Sequence, residues 1–163
     1  MDPLREMFRH HAWATLTLLD YCASLPPEKL RETAPGTYGP ILETFTHMVG
    51  ADQRYLVGLT GEQPDAPIGR GEVLPLAELR PRFEASVRSW EALLDRVGEL
   101  DVTLRGRGDE PDVPHAQNLL ILQAIHHGND HRTHICSVLN VLGLEAPEID
   151  GWSYWGATHA DKT

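Results

Sequence analysis

The sequence predicts an all-α protein built as a four-helix bundle. Three observations carry this. Apolar residues recur at helical spacing in four separate blocks. The stretches between the blocks are rich in Gly, Pro and acid, which stop helices. Alternating apolar and polar runs, the mark of half-buried strands, are missing from the sequence. The 163 residues suffice for one domain with a real core, so a single domain over residues 1–163 is expected.

The first block is Pro3–Ser24. Pro3 suits a first helical turn, Phe8, Ala12, Leu16, Leu19 and Ala23 form the stripe, and "SLPPEKL" ends it. The second is Pro40–Thr60, opened by "GTYGP" and closed by "TGEQPDAP", with Ile41, Phe45, Met48, Tyr55 and Leu59 on its apolar side. The third is Leu76–Leu100, striped by Leu79, Phe83, Val87, Trp90 and Leu94. The fourth is Ala116–Leu142, ended by Gly143 just past the helix. Such helices are roughly 30–40 Å long, and matched amphipathic rods bury best against one another. The connections are long enough to permit a crossover. The tail, "LEAPEIDGWSYWGATHADKT", carries Trp152, Tyr154 and Trp155. Its first half is expected to pack on the bundle, with aromatic packing or a pocket roof as its two readings, and its last residues to be mobile.

Composition narrows the function. The chain is 41% hydrophobic and 23% charged, as in globular proteins. A net charge of −10 argues against nucleic acid or an anionic membrane as partner, since phosphate binding needs a basic stripe. No apolar run approaches the ~20 residues of a membrane span. The opening "MDPLREMFRHHAWATL" lacks the basic start and apolar stretch of a secretory signal, so a cytoplasmic location is expected. Cys22 and Cys136 each lie in an apolar helical pattern and read as buried free thiols.

The chemistry concentrates in "IHHGNDHRTHI". Four of nine histidines, His126, His127, His131 and His134, fall there in an otherwise apolar helix. His127 and His131 are four apart and share a face with Ala124, Val138 and Leu142, so they point inward. Two neighbouring buried imidazoles cannot easily both be charged. Either each finds separate hydrogen bonds, or a divalent metal takes a lone pair from each while the other ring nitrogens donate outward. His134 lies near the same face, and His126 points away toward a supporting or exposed place. A third ligand has to come from another helix. Of His10, His11, His47, His115 and His159, His47 is the best placed, though it stands at the edge of its helix's stripe and reads equally as a solvated flank.

Other sites fit worse. His-Glu-x-x-His is missing, Glu43 precedes His47 at the wrong offset for a di-iron bundle, and there is no paired-cysteine spacing, phosphate loop or Gly-x-Ser-x-Gly elbow.

Together, Trp13 in the first helix, "LETFTHMVGADQRYL", "HHGNDHR" and "LGLEAPEIDGWSY" resemble the DinB superfamily, related to the bacillithiol- and mycothiol-dependent transferases. The resemblance implies an up-down-down-up bundle, a homodimer, and a three-histidine metal site carried over to His47, His127 and His131. Two positions depart from the family's pattern. Thr133 and His134 stand where Gly-Gln is common, and Gln123 stands where a further histidine often precedes the pair.

Three neutral imidazoles leave an open coordination position, as in catalytic zinc sites. The donors suit zinc or nickel foremost, and also iron, cobalt or manganese. The resemblance favours a thiol S-transferase in which a small thiol meets an electrophilic substrate at the metal. A hydrolase using bound water and a non-enzymatic metal-binding stress protein are the alternatives. Asp52 and Asp130 are candidate acceptors for imidazole N–H, alongside His134 as a possible supporting or substrate-binding residue. Arg132 reads as a carboxylate-orienting residue or as a helix-pair salt bridge.

Overall fold

The computed structural model describes residues 2–106 and 108–160. Over these residues the protein is all-α, with five α-helices and one isolated antiparallel bridge, Leu104 with Val113.

Helix α1 spans Pro3–Ala23. The Asp2 carboxylate accepts the Leu4 N–H at 3.0 Å, and Pro3 occupies the first turn, where no amide is needed. Helix α2, Ile41–Thr60, follows Pro40 and stops at Gly61, whose φ of 74° only a glycine adopts freely. Helix α3 covers Leu76–Leu94 and ends short of the predicted Leu100. After Asp95 and Arg96 the backbone tightens into a 3₁₀ turn, Val97–Glu99, around the poor helix former Gly98. Helix α4 is Gln117–Val141, close to its predicted range, with Gly143 at φ 72° beyond its end.

The tail holds a helix the sequence reading did not foresee, α5, Gly151–His159. Asp150 caps it by accepting the Ser153 N–H at 2.8 Å. Of its aromatics only Tyr154 is buried. Trp152 is 88% exposed and Trp155 is also on the surface. The final three residues, where mobility was expected, lie outside the described residues.

α1 packs on α3 and α4, α2 packs on α3 and α4, and α5 packs on α1. The core forms two apolar clusters. One gathers Leu18, Leu19, Phe45, Met48, Phe83 and Leu139. The other gathers Phe8, Leu56, Trp90, Leu93, Ile121 and Ala124. His11 meets rings of both, Phe8 at 6.3 Å and Phe83 at 5.7 Å, so a buried polar group sits where the clusters adjoin. Among the described residues no helix is long and apolar enough to cross a membrane.

Candidate metal centre

His47 projects from α2, and His127 and His131 project one turn apart from α4, which packs on α2. His47 Nε2 lies 2.9 Å from His127 Nε2, which lies 3.1 Å from His131 Nε2. The three residues each offer a ring nitrogen within 4.8 Å of the others. His47 stands at the edge of its helix's apolar stripe because that edge faces the seam with α4.

Hydrogen bonds alone serve this cluster poorly. His127 Nε2 is one site, either an N–H or a lone pair, yet two other ring nitrogens converge on it. Burial pushes the pKa of His127 down to about 4, with the neighbouring His47 adding to the effect. Burial likewise takes His131 to about 4, with His127 and His47 assisting. His47 is lowered too, by burial first and by the Arg54 charge second. The rings are therefore neutral near pH 7 and have lone pairs to give. Ligand nitrogens sharing a tetrahedral cation at ~2.1 Å stand roughly 3.4 Å apart. The His47–His127 and His127–His131 pairs need to open by only a few tenths of an ångström, and with a nitrogen of each ring within 4.8 Å of the others the three histidines could hold a metal ion.

The DinB family profile matches residues 1–162. The chain belongs to the DinB family. No curated protein matches it. Family membership and the three clustered histidines together fit a metal-binding DinB protein.

The groups around the triad differ in part from those the sequence suggested. The partner of His47 is Tyr38, from the connection before α2, whose hydroxyl oxygen lies 2.9 Å from His47 Nδ1. With Nε2 offering its lone pair, Nδ1 carries the proton and donates to that oxygen. The Tyr38 ring also stacks on His47 at 4.3 Å and meets His131 edge-on at 4.8 Å. Nothing periodic marks a loop tyrosine, so sequence reasoning missed it. Tyr55 packs edge-on against His127 at 5.8 Å. His134 meets the His131 ring at 5.5 Å, and Nδ1 of each of these two rings is buried without a hydrogen-bond partner among the described residues. His126 is exposed.

Asp52 does not serve the triad. It is buried and its Oδ2 accepts the Nε2–H of His11 at 3.1 Å. Asp130 is exposed, and it acts on His131 only as a weak opposing charge. Among the described residues Arg132 pairs with no acid directly, and it lies away from the surface. Only 2% exposed, it donates to His11 Nδ1 at 3.0 Å and to Thr15 Oγ1 at 2.9 Å, with Asn129 as a further acceptor. These residues form a second buried polar layer joining α1, α2 and α4. His11 could have been suspected from its place in the series Phe8, His11, Thr15, Leu18 on the buried side of α1.

The tail aromatics do not cover the triad. Tyr154 donates to Glu6 and packs on His10 at 5.4 Å and Trp13 at 5.5 Å, on the α1 side. Both cysteines are free, and Cys22, with its thiol pushed up to about 12 mainly by burial, is inert core. A cavity of about 460 Å³ opens beside His47, lined by Tyr38, Thr46, Arg54, Ile68 and Arg70 among others.

Proposed function

We propose that this DinB protein is a metal-dependent S-transferase that joins a small thiol to an electrophilic substrate. The observation that carries the reading is the meeting of three neutral imidazoles from two helices, one of which, His47, lines a cavity of small-molecule size. His47, His127 and His131 would hold a divalent ion, with zinc or nickel the best match to the donors. When bound, such an ion supplies a position at which a thiol loses its proton near neutral pH. The chain's own residues do the rest. Burial holds the rings uncharged, and Tyr38 fixes the tautomer and tilt of His47. Cys22 sits in the core with a protonated thiol, and burial also raises the half-buried Cys136 thiol packed against that core, so the attacking sulfur comes from solution.

The same reading makes the protein a cytoplasmic homodimer, each chain a single up-down-down-up four-helix bundle. In support, the pairs α1–α3, α3–α2, α2–α4 and α4–α1 close a ring of four rods. Sedimentation velocity tests the dimer.

The deciding experiment is elemental analysis of gently purified protein beside His47→Ala, His127→Ala and His131→Ala. The parent should hold about one divalent ion per chain, matching one three-histidine site. Each variant should lose it. Metal retained in all three variants would overturn the assignment. Thiol addition to a model electrophile then tests the activity. Metal-replete protein that accelerates it with none of several cellular thiols would refute the transferase, and thiol-free ester turnover would select a hydrolase instead.

A further inference from the structure

The cavity beside His47 carries two guanidinium groups that the triad does not use. Arg54 stands seven residues after His47, two turns along the same face of α2. Gly50 lies between them. A Cβ there would come within 3.0 Å of Arg54 NH1, so the bare glycine gives the guanidinium room to lie against the helix. The charge of Arg54 reaches both His47 and His127, where it adds to burial in disfavouring protonation.

Arg70 comes to the same cavity from the connection between α2 and α3. That connection is fastened to α2 on both sides of it. Gln53 donates to the Ala66 carbonyl at 3.1 Å and accepts the Ile68 N–H at 2.9 Å, and Thr46 accepts the Leu74 N–H at 3.2 Å. The two guanidiniums are close enough for Arg70 to disfavour the charge on Arg54.

Among the described residues neither Arg54 nor Arg70 makes a hydrogen bond or ion pair. Arg5, Arg9, Arg80, Arg82 and Arg105 each reach a carboxylate. The chain has 24 acidic residues against 14 basic ones, so partners are not scarce. Glu43 and Glu72 even line the same cavity. Neither pairs with these arginines, and Glu72 accepts the Gly69 N–H at 2.9 Å instead. Two exposed like charges lining one cavity without an ion-pair partner among the described residues, beside a site whose three ligands are neutral, leave positive charge to be matched by what binds. A guanidinium fork suits a carboxylate in particular, since two parallel N–H donors meet its two oxygens.

Resting on the metal-centre reading above, we propose that Arg54, assisted by Arg70, binds a carboxylate of the substrate that enters beside His47. The site thereby selects acidic small molecules over neutral ones of the same reactive group.

The test compares 3-mercaptopropionate with 2-mercaptoethanol on cobalt-substituted protein, read by the visible absorption of the metal. The parent should prefer the carboxylate thiol by about tenfold or more, the scale of a charge-assisted hydrogen bond. Arg54→Gln should bring the ratio close to one. A parent without preference, or an Arg54→Gln protein that keeps it, overturns the proposal. Should neither thiol perturb the cobalt spectrum, the thiol reading falls and a second measurement decides for Arg54. Propionate is titrated into metal-free protein while the arginine Nε–H resonances are followed by NMR. A shift of the Arg54 signal that Arg54→Gln removes sustains the carboxylate site, and no shift overturns it.

Discussion

Replacing Gly128 with alanine would place a methyl group 2.4 Å from Cε1 and 2.5 Å from Nδ1 of His11, and 3.0 Å from Arg132 NH1. None of these atoms is the loose end of an exposed side chain. His11 and Arg132 are each 2% exposed, and His11 is held at both ring nitrogens, by Asp52 at 3.1 Å and Arg132 at 3.0 Å. The ring must move by about an ångström to reach ordinary contact distance, and at least one of those bonds breaks. Overpacking costs about 1–3 kcal/mol and the loss of a hydrogen bond to a charged group about 1.5–3 kcal/mol. Alanine in a helix returns about 1 kcal/mol relative to glycine. The net loss is roughly 1.5–5 kcal/mol, or roughly 3–20 °C of melting temperature for a domain of this size.

Thermal unfolding followed by circular dichroism measures it. Gly156→Ala in α5 is the control, since nothing lies within 4 Å of a Cβ there and it should melt at or slightly above the parent. A double-mutant cycle with His11→Ala isolates the clash. The paired substitutions should cost less than the sum of the singles, by about 0.5–3 kcal/mol. Gly128→Ala protein as stable as the parent would refute the buried layer as a rigid structure.

Two further outcomes follow from the titrating groups. Metal-free protein should lose stability as pH falls from about 6.5 to about 4. His127 and His131 have folded pKa values near 4, below the ordinary 6.5, so the unfolded chain binds more protons across that window. Denaturation midpoints in the presence of chelator check this, and a flat profile there in the parent, or an unchanged slope in a His127→Gln, His131→Gln protein, counts against it. The Cys22 thiol, buried and pushed up to about 12, should resist iodoacetamide at neutral pH until denaturant is added. Rapid alkylation of native protein at Cys22 would contradict the packing.

The helices were legible where punctuation was strong: Pro3 and Pro40 at starts, Gly61 and Gly143 at ends. α3 was overdrawn because Val97 and Leu100 continue an apolar rhythm that Gly98 interrupts. α5 was missed because nine residues with glycines at 151 and 156 show no sustained periodicity. In the candidate site, the spacing of His127 and His131 marked half the cluster. Position made His47 the best-placed third ligand but read it equally as a solvated flank, and family resemblance decided, because the edge of a stripe looks solvated until the neighbouring helix is known. Asp52 has its partner on α1, forty-one positions away in sequence, and no local pattern carries such a pairing.

The placement of the second polar layer then has a consequence for the first. Gly128 and Arg132 directly follow His127 and His131 on α4, and Asp52 lies little more than one turn beyond His47 on α2. A helix slipped by one residue rotates its side chains by ~100°. Apolar cores tolerate some repacking, whereas a buried arginine, imidazole and carboxylate tolerate little, since each lost partner costs about 1–3 kcal/mol or more. The bonds from Arg132 to His11 and Thr15, and from His11 to Asp52, therefore fix the register of α4 against α1 and α2. That register is what turns His127 and His131 toward His47. Gly128→Ala should accordingly weaken metal retention as well as stability, though it touches none of the three imidazoles of the centre.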